Sequence, residues 1–326
     1  MDVLVSKAAH GDFGDLLTDA APGARFLLGS AEGVTDAAGT PLTDPAPDVA
    51  WLSSDLFTGG AGVRWFAPLL VGSPRLRWVH SSTAGLDSPL FGRLRDRGVR
   101  VTGSHIYAGP VSEFVVRAVL DEFQDARNWR DAQAARTWRP HEFREIAGST
   151  WAVVGLGDIG SAVARAATAL GATVIGVART RPDPLPSTEF VLAGGLPEVL
   201  PRSDVVVLAR SADPDAPPLV DAALLAAMAP GSVLVNVARG SLVDEQALLA
   251  ALDTGAPARA VLDVTAVEPL PPDNPLWTHP AVTLTPHTSG QGHGRYRRGA
   301  GLFAALLREL PDSPGAERPA VKRSTP

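Results

Sequence analysis

Cysteine does not occur in the 326 residues of this chain. Its absence excludes disulfide staples, thiolate nucleophiles and cysteine-ligated zinc together. Lysine is nearly missing as well, with Lys7 and Lys322 the two examples, both close to the ends. An interior P-loop lysine or a buried Schiff-base lysine is therefore excluded. No apolar run reaches the eighteen or so residues that a spanning helix needs. Met1-Asp2-Val3 opens the chain without the basic start of a secretory signal. A net charge of −6 offers no basic surface for a phosphate backbone. These shortages lead us to expect a soluble, cytoplasmic protein with no nucleic-acid and no membrane partner.

What is present is the balance of a globular protein, 45% hydrophobic and 20% charged, at a length that holds two domains. In the first hundred residues, short apolar runs at Val3–Val5, Phe26–Leu28, Val49–Leu52, Leu76–His80 and Val99–Thr102 read as strands. Helices are expected at Asp12–Thr18, Gly62–Val71 and Ser88–Arg97. From Glu113 the spacing of Phe114, Val115, Ala118 and Val119 is helical, and the polar stretch Arg127–Arg144 reads as a linker or a partner-binding arm. After Thr150 the alternation is regular. Strands are expected at Trp151–Val154, Thr173–Val177, Asp204–Leu208, Ser232–Val237, Ala258–Val264 and Ala281–Thr285. Helices are expected at Ile159–Leu170, Asp221–Met228 and Glu245–Leu252. Continuous apolar strands alternating with helices predict a parallel sheet covered on both faces. Pro311–Pro326 reads as a frayed tail.

The sharpest local motif is Gly155-Leu156-Gly157-Asp158-Ile159-Gly160, which follows a predicted strand and opens a predicted helix. In that setting Gly155 makes the tight turn, Gly157 admits a pyrophosphate to the backbone, and Gly160 lets the helix pack on the sheet. The helix N-terminus then offers the phosphates unpaired N–H groups, including those of Asp158 and Ile159. Past the second strand stand Arg179-Thr180-Arg181, with no carboxylate before Asp183. A ribose 2′-OH wants a carboxylate there, whereas guanidiniums suit a 2′-phosphate. NADP(H) is therefore the expected cofactor, with NAD(H) as the alternative.

Three ionisable residues follow three successive predicted strands: Arg239, Glu268 and His287. Ligands of open α/β sheets bind beyond the carboxyl ends of the strands, where these residues emerge. A 2-oxo acid needs a cation for its carboxylate, which arginine supplies with a planar fork. It also needs a proton donor at the ketone oxygen, a task suited to histidine, with a glutamate to orient the ring and favour the imidazolium. Singly each residue has a plainer reading as an ion pair, a Glu-Pro turn or a satisfied histidine. His10, His80, His105, His141, His279 and His293 take that plainer reading. His287 and His293 are not expected to hold a metal, given no cysteine and no HExxH.

Together these motifs resemble the D-isomer-specific 2-hydroxyacid dehydrogenase family over about Leu76 to Gly290. The resemblance rests on Val154–Gly160, Asn236-Val237-Ala238-Arg239-Gly240, Leu262-Asp263-Val264 with Glu268-Pro269-Leu270, and Thr285-Pro286-His287. Asn274-Pro275-Leu276-Trp277 and Thr137-Trp138-Arg139-Pro140 are similar to the glyoxylate/hydroxypyruvate reductase branch. The resemblance implies two Rossmann-like domains with parallel sheets, a cofactor domain (104–287) being inserted into a discontinuous substrate domain (1–103 plus 288–326). It implies that the cleft between them closes on substrate. It also implies that Arg239 binds the substrate, His287 is the acid/base and Glu268 supports it. Asp263 is implied to contact the nicotinamide carboxamide, and the backbone of Ala84 and Gly85 to hold the substrate carboxylate. A dimerisation arm near 127–148, with Trp138 reaching the partner's site, implies a homodimer.

The chain departs from the family in two places. Arg210-Ser211-Ala212 replaces the usual Leu-Pro-x-Thr, which leaves Arg210 either near the 2′-phosphate or without a role. The first seventy-five residues, with Ser53, Ser54 and Asp55, match poorly. The expected activity is NADPH-dependent reduction of a small 2-oxo acid to the D-2-hydroxy acid. The alternatives are the same chemistry on a bulkier 2-oxo acid or on phosphite with NAD(H), and a catalytically silent NAD(P)H-sensing dimer.

Overall fold

The computed structural model describes residues 1–57, 62–213 and 215–310. The expected tail Pro311–Pro326 and Pro214 lie outside them. The chain divides into two compact units, Met1–Ile106 with the segment from Gly294 onward, and Tyr107–His293.

The first unit contains β1 (Asp2–Ser6), α1 (Lys7–Ala20), β2 (Arg25–Ser30), β3 (Gly33–Thr35), β4 (Val49–Leu52), α2 (Gly62–Gly72), β5 (Trp78–Ser81), α3 (Pro89–Asp96) and β6 (Arg100–Thr102). The strands form one sheet in the order β3-β2-β1-β4-β5-β6, parallel except for β3 against β2. Helix α1 starts five residues earlier than the periodicity predicts. Gly11 and Gly14 blur its apolar stripe, while the Ser6 hydroxyl caps it by accepting from the Ala9 N–H at 2.9 Å.

The second unit contains α4 (Ala108–Phe123), α5 (Ala126–Ala134), β7 (Thr150–Val154), α6 (Asp158–Ala169), β8 (Thr173–Ala178), β9 (Glu189–Leu192), α7 (Leu196–Val199), β10 (Val205–Leu208), α8 (Ala222–Ala226), β11 (Val233–Asn236), α9 (Glu245–Thr254), β12 (Arg259–Leu262) and β13 (Val282–Leu284). Its sheet is wholly parallel, in the order β13-β12-β11-β10-β7-β8-β9. Alternate residues of the central strands enter opposite cores: Ala152, Val154, Val206 and Leu208 face one layer, and Trp151, Val153, Val205 and Val207 the other. Burial on both faces is why these strands are continuous apolar runs. The chain builds β8 and β9 on one side of β7 and β10 to β13 on the other, so the strand order reverses between β7 and β10.

The chain ends its described course with α10 (Arg295–Arg308), which belongs to the first unit. Ala300, Phe303 and Ala304 of α10 cover the sheet face formed by Val3, Val5, Phe26, Val49, Trp51 and Trp78. Trp51 stacks on Phe303 at 5.0 Å. Burying one such aromatic side chain contributes about 3 kcal/mol, so α10 is part of that core rather than an appendage. This makes the first unit discontinuous, with a Rossmann-like unit inserted into it.

Candidate active site

The glycine turn lies at the end of β7, beside the point where the strand order reverses. Gly155 has φ +101, and a Cβ on it would lie 2.7 Å from the Ala209 carbonyl oxygen and 2.8 Å from the Arg210 Cα. A Cβ on Gly160 would lie 1.8 Å from the Gly155 carbonyl oxygen, whereas one on Gly157 meets nothing within 4 Å. The turn is thus closed underneath and open above, at the N-cap of α6. That shape fits a dinucleotide pyrophosphate approaching Gly157 and the amides of Asp158 and Ile159.

Beyond β8, Arg179, Thr180 and Arg181 are all exposed, and the Arg181 guanidinium lies 5.9 Å from the Phe190 ring centroid. Arg210 follows β10 and donates from Nε to the Ser211 carbonyl at 3.2 Å. Its Cα, 2.8 Å from a Cβ built on Gly155, stands against the glycine turn itself.

Arg239 follows β11 in a loop held by Asn236, which is fully buried. The Asn236 Nδ2 group donates to the Arg239 carbonyl at 2.9 Å, and its Oδ1 accepts from the Ala238 N–H at 3.1 Å. Arg239 itself is half-buried and donates to the Ala238 carbonyl at 2.7 Å. The next residue explains why the loop lies where it does. A Cβ on Gly240 would sit 1.9 Å from the Thr265 carbonyl carbon and 2.3 Å from the Ala266 nitrogen. The Arg239 loop is pressed onto the peptide between Thr265 and Ala266.

That same peptide region carries the glutamate. The Glu268 carboxylate accepts from the Thr265 N–H at 3.1 Å through Oε1 and meets His287 Nδ1 at 2.8 Å through Oε2. Glu245, at the start of α9, accepts from the Ala266 N–H at 2.6 Å. The Arg239 loop and the Glu268–His287 pair thus meet, within one unit, on adjoining peptides on either side of Thr265. Glu268 oriented on Nδ1 leaves Nε2 of a half-exposed imidazole directed to other partners.

Asp263 fixes the histidine loop from below. It is 1% exposed, accepts from the Thr285 hydroxyl at 2.6 Å and from the N–H groups of Thr288 at 2.8 Å and Ser289 at 2.9 Å. Its backbone carbonyl accepts from the His287 N–H at 2.8 Å. His287 adopts φ +51, a left-handed conformation that a side chain other than glycine keeps only when its surroundings enforce it. The four hydrogen bonds to Asp263 do so.

In the other unit, Ala84 and Gly85 lie in the loop after β5. The Thr83 hydroxyl donates to the Gly85 carbonyl at 2.9 Å, and the Ser104 N–H donates to the Thr83 carbonyl at 2.9 Å. Ser53 and Ser54 are buried, and with Asp12, Asp55, Trp51 and Tyr296 they line a cavity of about 260 Å³ within that unit. His80, on β5, is fully buried between Trp78 and Phe303. Burial, reinforced by the neighbouring His105, pushes it down to about 3.

The stretch read as a linker or arm contains α5, followed by a segment without helix or strand. Trp138 there is 98% exposed, while Trp129 packs against His141 and Phe143. No helix among the described residues is long and apolar enough to cross a membrane. Sequence reasoning missed Gly240 and Glu245 as parts of this site. The Arg-Gly pair and the acidic start of α9 were the available signals.

Comparison with known proteins gives the same direction. The family described as D-isomer specific 2-hydroxyacid dehydrogenase, NAD binding domain, matches residues 116–289. A D-isomer specific 2-hydroxyacid dehydrogenase from Xanthobacter autotrophicus Py2, solved with NADPH and MES, is 30% identical, with 94% of this chain and 93% of that one covered and a TM-score of 0.75. An NADPH-dependent glyoxylate/hydroxypyruvate reductase from Sinorhizobium meliloti, solved with NADP and sulfate, is 27% identical over 95% of this chain and 96% of that one, with a TM-score of 0.74. Phosphoglycerate dehydrogenase from Lactobacillus plantarum is 30% identical over 94% of each chain, with a TM-score of 0.56.

Proposed function

The chain belongs to the D-isomer specific 2-hydroxyacid dehydrogenase family, and from that premise we propose that it reduces glyoxylate, hydroxypyruvate or a similarly small 2-oxo acid with NADPH. At family level the chemistry is the NAD(P)H-dependent interconversion of a 2-oxo acid and its D-2-hydroxy acid. The observation that carries the proposal is the 2.8 Å pairing of His287 Nδ1 with Glu268, which is itself anchored on the peptide next to the one that seats the Arg239 loop.

When bound, the cofactor would supply a hydride for C2 of the substrate. The rest is done by side chains. Arg239 binds the substrate through its carboxylate and carbonyl, remaining charged at every working pH. His287, held at Nδ1 by Glu268, delivers a proton from Nε2 to the ketone oxygen as negative charge grows there. Arg239 and the imidazolium stabilise that charge together. In the reverse direction His287 takes the proton back. Ala84 and Gly85 are the proposed backbone donors to the substrate carboxylate.

Gly155, Gly157 and Gly160, with the amides of Asp158 and Ile159, are the proposed pyrophosphate cradle. Arg179, Thr180 and Arg181 are the proposed contacts of the 2′-phosphate, supported by their exposure and by the lack of a carboxylate before Asp183. Asp263 is proposed to meet the carboxamide end of the cofactor in addition to anchoring the histidine loop. The choice of the glyoxylate/hydroxypyruvate branch is supported by Asn274–Trp277, by Thr137–Pro140 and by the Sinorhizobium enzyme. The exposed Trp138 supports a homodimer formed through the arm near 127–148.

The test is oxidation of NADPH and of NADH at 340 nm with glyoxylate, hydroxypyruvate, pyruvate and a branched 2-oxo acid. Turnover of the two small acids that favours NADPH is expected. Preference for the branched acid, or for NADH, would overturn the substrate or cofactor assignment respectively.

A further inference from the structure

His287 lies three residues beyond β13, which is the weakest strand of its sheet on physical grounds. It has three residues, lies at the edge, pairs on one side with β12, and has none of its residues fully buried. An edge strand leaves a row of carbonyls and N–H groups unpaired along its outer side. Here that outer side is occupied by a side chain. Arg127, in the first turn of α5, donates from its guanidinium to the carbonyls of Pro280 and Val282 and to the Thr283 hydroxyl.

The guanidinium is itself held by a buried carboxylate. Glu122, near the end of α4 and 6% exposed at its side chain, accepts from Arg127 at 3.2 Å and from the Thr283 hydroxyl at 2.6 Å. Arg259, at the start of β12, approaches its other oxygen at 3.5 Å. Between Glu122 and Arg127 the chain reverses through Asp125, which adopts φ +47. A non-glycine residue keeps that conformation when its surroundings fix it, and the Glu122–Arg127 pair spans the turn.

We propose that Glu122 and Arg127 are positioning residues for His287, gripping β13 from its open edge and so setting the height of the histidine loop. Thr283 lies four residues before His287, and the intervening chain has little slack. The Thr285 N–H is bonded to the Leu262 carbonyl at 3.0 Å and its hydroxyl to Asp263. A shift of β13 along β12 is therefore transmitted to the imidazole. Asp263 fixes the loop relative to β12, and Arg127 fixes the strand that leads into it. The inference rests on the reading of His287 as the proton donor.

The experiment compares wild type with Arg127→Leu, Arg127→Lys and Thr283→Val, the last removing one hydroxyl with little risk to folding. Wild-type turnover with a 2-oxo acid is measured first, together with the NADPH Kd by fluorescence titration. We expect kcat to fall about tenfold in Arg127→Leu and less in Thr283→Val, because displacement of an acid/base group acts on the chemical step. The NADPH Kd is expected to stay within about twofold, since the glycine turn lies across the sheet. Arg127→Lys keeps the charge beside Glu122 and is expected to recover part of the rate. Unchanged kcat in both Arg127→Leu and Thr283→Val, with only a lower Tm, would assign the cluster to stability and overturn the inference. Should wild type turn over no 2-oxo acid, the proposed function fails, and amide hydrogen exchange at Thr285–Thr288 still decides the inference. Faster exchange in both variants supports the grip, and unchanged exchange overturns it.

Discussion

Gly240→Ala removes no functional group, yet it is expected to disable the site. The added Cβ would lie 1.9 Å from the Thr265 carbonyl carbon, 2.1 Å from its oxygen and 2.3 Å from the Ala266 nitrogen. Ordinary contact is about 3.4 Å or more, so the two backbones must part by about 1.5 Å. One of them bears Arg239 and the other leads to Glu268, so the substrate cation and the support of His287 separate. A misplacement of about 1 Å costs on the order of 100-fold in rate, or about 2.7 kcal/mol of transition-state stabilisation. We expect kcat/KM for the 2-oxo acid to fall at least that far in the folded variant, with the NADPH Kd nearly unchanged. Steady-state oxidation at 340 nm, cofactor titration and a thermal melt on the same sample measure this. A folded Gly240→Ala protein with kcat/KM within about threefold of wild type would refute the idea that this peptide sets the geometry.

Gly157→Ala gives the opposite pattern: its Cβ meets nothing within 4 Å, so the protein should melt at its wild-type Tm while its Kd for NADPH rises at least tenfold. Wild-type affinity would mean that the pyrophosphate passes elsewhere. Arg179→Asp should weaken NADPH relative to NADH, and an unchanged ratio of the two Kd values would remove Arg179 from the 2′-phosphate contact. His80 predicts an acid sensitivity. Its folded pKa of about 3 lies below the ordinary 6.5, so the unfolded chain binds the extra proton between those values, and stability is lost as pH falls from 6.5 towards 3. At pH 4.5 the loss is about 2.7 kcal/mol. Urea unfolding of wild type and His80→Gln across that window should show a shallower pH slope in the variant, and identical slopes would count against the assignment.

The part of the fold after Thr150 was legible because strands buried on both faces must be continuously apolar, as Val205–Leu208 and Val233–Asn236 are. The edge strands β3 and β9 escaped notice because edges carry mixed residues; none of Glu189–Leu192 is fully buried. Helix α5 was hidden in a polar stretch because Ala132 is its one buried residue. At the candidate site, Gly155, Gly157 and Gly160 announce themselves by local spacing, and Arg239, Glu268 and His287 by their places after strands. Gly240, Glu245, Glu122 and Arg127 act on backbone more than twenty residues away or across the sheet edge. No periodicity in their own neighbourhood records that.

The return of α10 to the first unit has a consequence for the order in which the chain is made. Val3, Val5, Trp51 and Trp78 leave the ribosome long before Phe303, which covers them. At about 5–20 residues per second, the intervening stretch of roughly two hundred residues takes on the order of 10–40 s to synthesise. During that interval the second unit, whose core is drawn entirely from its own continuous stretch, is completed. Until α10 arrives, the first unit holds that apolar face covered only in part, by Ala9, Leu17 and Ala20 of α1, which makes the nascent N-terminal sheet, rather than either finished unit, the natural client of a chaperone.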